Sequence, residues 1–78
     1  MKMFVFEEVL PDYTSGMALI AAETLDQAQQ IAYATFYLSW QEQTFEEWLK
    51  SSGFHTCSGI YEIGDVKAGV RHYVYGGG

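Results

Sequence analysis

Two histidines and one cysteine are the residues best suited to chemistry in this chain. His55 and Cys57 stand two apart in a strand-like run, so their side chains share a face, and His72 lies in the next such run. Three soft donors make a candidate metal set. Structural zinc, however, takes four ligands at a recognisable spacing, and one Cys with two His does not supply them. Ordinary sheet histidines and a small buried thiol account for the same residues. A Cys–His nucleophile needs a third group to orient the base and an oxyanion pocket beside it, and no pattern marks either. The adjacent acids Glu7–Glu8 and Glu46–Glu47 point apart on strand or helix, so neither pair shares one pocket by spacing. The glycines at 53, 59, 64 and 69 are scattered, and none leads a strand into a helix in the phosphate-cradling manner. The expectation is a non-enzymatic protein with no metal and no cofactor.

The elements that must position these residues read as follows. Met3 to Leu10 is rich in aromatic and β-branched types and stops at Pro11–Asp12, which predicts a strand. Met17 to Ala22 is a second apolar run, and Asp12 to Gly16 has the content of a hairpin loop. Thr24 opens a helix, its hydroxyl placed to accept from the Gln27 amide while the Gln27 side chain reaches back. Leu25, Ala28, Ile31, Ala32, Thr35 and Phe36 then recur at steps of three and four, and the helix should end near Tyr37 to Ser39. Thr44 repeats the capping pattern with Glu47 ahead of Phe45, Trp48 and Leu49, and Gly53 with Phe54 suits a left-handed C-terminal cap. Phe54 to Ile63 and Val70 to Tyr75 are strand-like, separated by Gly64, Asp65 and Gly69, which predicts a second hairpin. The fold class expected is α+β: a four-stranded antiparallel sheet of two hairpins, with two or three short helices on one face. Residues 1–75 form one domain, and Gly76 to Gly78 form a tail with no side chains to anchor it.

A chain of 78 residues supports a single core. Five Phe, six Tyr and two Trp are more rings than so small a core hides, so some should lie at the surface as contact residues. A formal charge of -6 repels phosphate backbones and anionic membrane surfaces, which disfavours direct nucleic-acid and membrane binding, so neither is expected, and favours basic protein partners. The same charge also serves simple solubility. The lone Cys57 fits a reducing cytoplasm, and no apolar run approaches the roughly 20 residues of a membrane helix.

Tyr33, Tyr37 and Trp40 gather where the first helix should end, and Tyr13 lies in the first loop. Such rings beside acids are either binding hot spots or the closure of a small core over a helix end. The binding reading takes Tyr13, Tyr37 and Trp40 as anchors. It adds Glu7, Glu8, Asp12, Glu23, Asp26, Glu42, Glu46 and Glu47 as the acids that face a basic partner. A second reading is a structural or regulatory module that pairs its last strand, Val70 to Tyr75, with a second copy, so the chain is a monomer or a weak homodimer.

A compact acidic chain with the opening Met1-Lys2-Met3-Phe4-Val5-Phe6 and aromatic-rich helix ends resembles the small phage-encoded anti-CRISPR proteins. The likeness is one of scale and composition and carries no motif. It implies an inhibitor acting in the bacterial host cytoplasm. Its carboxylates would occupy a basic groove that otherwise holds guide or target nucleic acid, with a subunit of a type I interference complex as the natural target.

Overall fold

Two strands that are apolar on both faces organise the fold. The computed structural model describes residues 1–10, 16–64 and 67–74. Strand β1 (Lys2–Val9) pairs antiparallel with β2 (Gly16–Ala22), in register from Lys2 opposite Ala22 to Glu7 opposite Met17. Phe4, Phe6, Ala18, Ile20 and Ala22 face one side and are buried. Met3, Val5, Met17 and Leu19 face the other and are half-buried. At Glu8 the backbone turns left-handed (φ 58) and the register shifts, so Val9 returns to the buried side opposite Gly16. Such a bulge re-aims a side chain at the cost of one ladder position.

Helix α1 (Leu25–Phe36) starts at the expected N-cap. Thr24 Oγ1 accepts from the Gln27 amide at 3.1 Å, while Gln27 Oε1 accepts from the Glu23 amide at 2.6 Å, one residue earlier than the expected reciprocal bond. Its Ala28–Ala32–Phe36 stripe is buried against the sheet, with the small residues letting the helix lie close. Helix α2 (Phe45–Ser52) has the full capping box: the Thr44 amide donates to Glu47 Oε1 at 2.9 Å, and the Glu47 amide donates to Thr44 Oγ1 at 3.2 Å. Gly53 (φ 90) ends it, its amide donating to the Leu49 carbonyl at 3.2 Å. Phe54 then turns into the core, with its ring 4.9 Å from Phe6, 5.8 Å from Phe36 and 5.3 Å from Trp48.

That burial corrects the expected strand from Phe54. The segment 54–58 is irregular, and β3 is only Gly59–Glu62. The last strand, β4, is Gly69–Val74, and Tyr75 lies outside the described residues. The sheet is four-stranded and antiparallel with the two helices, an α+β fold as expected, but its order is β3-β1-β2-β4. The last two strands therefore do not form a hairpin with each other. β3 adds to β1, with Phe4 opposite Ile60, and β4 adds to β2, with Ala18 opposite Tyr73. β1 and β2 are apolar on both faces and gain most from a central position, whereas Glu62, Arg71 and His72 suit edges. The six residues between Glu62 and Gly69 reach about 20 Å when extended, enough for the three strand spacings, about 14 Å, that separate the edges. No helix among the described residues is long and apolar enough to cross a membrane.

Candidate functional site

The segment between the helices is held in a fixed shape. Tyr37 caps α1 with its amide on the Tyr33 carbonyl at 3.0 Å. A 3-10 turn, Ser39–Gln41, follows. The Leu38 amide donates to Gln41 Oε1 at 2.8 Å, and Glu42 closes the turn in the left-handed region (φ 50). The Gln43 amide donates to the Tyr37 hydroxyl at 3.1 Å, and the Ser51 hydroxyl donates to Gln43 Oε1 at 3.3 Å, which ties the segment to α2.

This fixed turn carries Trp40 outward. Trp40 is 74 % exposed and Leu38 49 %, while Trp48, the other tryptophan, is 2 % exposed. Beside them lies a pocket of about 280 Å³ lined by the apolar Leu10, Phe36, Leu38, Trp40 and Trp48 and by the polar Gln41, Ser51 and Ser52. Single exposed apolar residues are ordinary on protein surfaces, whereas here a tryptophan and a leucine lie together on a hydrogen-bonded turn beside a pocket, which makes this the candidate site. The aromatics expected beside Trp40 divide between roles. Tyr37 is half-buried and stacks on Tyr33 at 4.6 Å, and Tyr33 meets Phe45 and Trp48 edge-on, so this pair closes the core over the helix end.

The acids are distributed over three places. Glu42 ends the 3-10 turn, and Glu46 and Glu47 occupy the first turn of α2. The bond from the Thr44 amide, supported by its hydroxyl, holds the Glu47 carboxyl below the usual glutamate range. Glu7 and Glu8 line a second, polar hollow of about 540 Å³ with Lys50, His55, Thr56 and Ser58. Glu23 and Asp26 lie at the start of α1, where Asp26 accepts from Gln30 at 2.7 Å. That is the opposite end of the β1–β2 hairpin from Glu7, about 17 Å away along the strands. The fold thus brings Glu7 and Glu8 together with the end of α2 and leaves Glu23 and Asp26 apart from them. Asp12 and Tyr13 lie outside the described residues.

The histidines and the cysteine do not converge. His55 sits in the turn after α2, with Nδ1 3.1 Å from the Leu49 carbonyl. His72 is on β4 opposite Leu19, while Cys57 precedes β3 at the other edge. The expected shared strand face of His55 and Cys57 is absent because Phe54 pulls the segment out of the sheet. Cys57 Sγ is half-buried and donates toward the Gly59 and Val5 carbonyls at 3.2 and 3.4 Å. Among the described residues no three of His, Cys, Asp and Glu are placed to hold a metal ion.

Leu10, Leu38, Ser51 and Ser52 belong to the site and were not singled out by sequence. For Leu38 there was a signal: Leu38 and Trp40 fall after the helical stripe ends and before Thr44 caps the next helix, so neither is claimed by a helix face. Compared with known protein families, with curated proteins and with solved structures, the chain matches none.

Proposed function

We propose that this chain is a non-enzymatic binding protein that inhibits a basic, nucleic-acid-handling protein in the cytoplasm of a bacterial host. One observation carries the reading: Trp40 stands 74 % exposed on a turn pinned by hydrogen bonds, beside a largely apolar pocket. Leaving so large an apolar ring in water forgoes burial worth a few kcal/mol, and a rigid aromatic anchor regains it against a partner at small entropic cost. Glu42 closes the turn that carries Trp40, Glu46 stands in the first turn of α2, and Glu7 and Glu8 line the neighbouring hollow, so in a chain of charge -6 a positively charged partner is favoured. The resemblance to anti-CRISPR proteins makes a subunit of a type I interference complex the first partner to test.

The test is capture from a bacterial lysate containing such a complex, at low and high salt, with the wild-type chain and with Trp40→Ala. The reading expects a nucleic-acid-binding protein that is recovered at low salt, diminished at high salt and lost with Trp40→Ala. Recovery of no such protein at low salt overturns it. The alternative module that dimerises through β4 is supported by the position of this strand at a sheet edge. Light scattering decides it, since a monomer at high concentration removes that reading.

A further inference from the structure

The apolar pocket beside Trp40 and the polar hollow at Glu8 share a wall. Ser51 and Ser52, the last two residues of α2, line both. On one side of this wall are Leu10, Leu38, Trp40 and Trp48; on the other are the carboxylates of Glu7 and Glu8, with the ammonium of Lys50 and the imidazole of His55 as the basic groups of the hollow among the described residues. The C-terminal end of α2 adds its negative pole there. Two carboxylates and a helix end outweigh one ammonium, so the polar hollow favours a cation. The apolar pocket, at about 280 Å³, lies below the range of roughly 300–1,000 Å³ in which whole small molecules are enclosed, and it suits one bulky side chain.

We infer that the two hollows form one peptide groove. It takes a segment of another protein that carries a bulky apolar side chain with a lysine or arginine a few residues along the chain. This rests on the reading of Trp40 as a partner-binding residue and names what the partner presents there. The apolar side chain fills the pocket between Leu38, Trp40 and Trp48. The cationic side chain crosses Ser51–Ser52 and meets Glu7 and Glu8, against the repulsion of the Lys50 ammonium that lines the same hollow. Apolar burial supplies the affinity, and the two acids select the sign of the neighbour.

The experiment titrates the 15N-labelled chain with capped peptides in which Phe and Arg are separated by one, two or three glycines. Matched peptides have Arg replaced by Glu, or Phe by Ala. The Phe/Arg peptide of the fitting length should shift the indole N–H signals of Trp40 and Trp48 and the amides of Ser51, Ser52 and Glu8 saturably. Either replacement should weaken binding about tenfold. Glu7→Gln with Glu8→Gln should bring the Arg and Glu peptides to within about twofold of each other, and Lys50→Gln should tighten the Arg peptide. Equal binding of Arg and Glu peptides by the wild-type chain overturns the inference, as does the lack of a saturable shift at every spacing. If the peptides fail while lysate capture still depends on Trp40, the groove alone falls; if both fail, the binding reading falls with it.

Discussion

Gly53 approaches Glu8 so closely that a Cβ on the glycine would lie 2.6 Å from the Glu8 carbonyl oxygen. Both residues have positive φ, 90° and 58°, so the end of α2 and the bulge of β1 meet backbone to backbone. Gly53→Ala would place a methyl group against a carbonyl that cannot retreat without disturbing β1, and would hold alanine in the left-handed region. The expected loss is about 2 kcal/mol or more, a fall in Tm of about 10 °C for a domain of this size. Gly64 is the control, because it has φ 79 but nothing within 4 Å of its would-be Cβ. Gly64→Ala should cost only the conformational part, about 1 kcal/mol. Equal losses in thermal melts of the two variants would show that the Glu8 contact is not made.

The two tryptophans make opposite predictions. Trp48 packs on Phe54 and Tyr33 at 5.3 and 5.4 Å and is fully covered, so Trp48→Ala should remove about 3–5 kcal/mol. Trp40→Ala should leave stability within about 0.5 kcal/mol, as expected of a surface position. A milder pair keeps both variants folded: Trp40→Phe should leave blue-shifted fluorescence poorly quenched by acrylamide, and Trp48→Phe should leave red-shifted, readily quenched fluorescence. The reverse pattern would remove the contact site.

Glu47 gives stability a pH dependence of known sign. Its carboxylate accepts from the Thr44 amide, so its folded pKa lies below its unfolded value, near 4.5. Stabilisation from a depressed carboxyl is complete above the unfolded pKa and disappears as pH falls through the folded one. The contribution should therefore be complete above the unfolded value of 4.5 and decline as pH falls below it, disappearing once the folded carboxyl is protonated. Glu47→Gln retains the capping bond but should flatten this part of the stability curve. Thr44→Ala removes the hydroxyl that caps the Glu47 amide and should cost about 1 kcal/mol at pH 7. A Glu47→Gln variant with an unchanged acid limb would place the dependence elsewhere.

The features legible in the sequence are those that act within a few residues. Thr24 with Gln27, Thr44 with Glu47 and Gly53 with Phe54 each close a bond or contact across one turn, so residue type and spacing reveal them. The apolar periodicity of 28, 32 and 36 is local in the same sense. Phe54 misleads because its strand-like type is overridden by a tertiary demand: it fills the space between Phe6, Phe36 and Trp48. The site divides likewise. Trp40 is readable as a ring outside any helix stripe, but Leu10 and Ser51 meet only when the β1 bulge reaches the end of α2, which no spacing encodes.

Strand order is the feature that sequence leaves open, and a designed cross-link tests it. Ile63 donates from its amide to the Met1 carbonyl at 3.2 Å, which makes that position a hydrogen-bonded pair. By alternation, Tyr61 with Met3 is also hydrogen-bonded, and Lys2 with Glu62 is a close, non-bonded pair of the kind that accepts a disulfide. Both side chains are exposed, so the replacement disturbs no core. In a Cys57→Ser background, Lys2→Cys with Glu62→Cys should oxidise readily and raise stability by about 2–4 kcal/mol, because the bridge closes most of the chain into one loop. Tyr61→Cys with His72→Cys should remain reduced. A β3–β4 hairpin would set those two strands side by side, whereas in the order β3-β1-β2-β4 they are three strand spacings apart, about 14 Å, beyond the reach of a disulfide. Oxidation of the second pair instead of the first would reverse the topology, move β3 away from β1, and separate Ser58 and Thr56 from the Glu7–Glu8 hollow they now line.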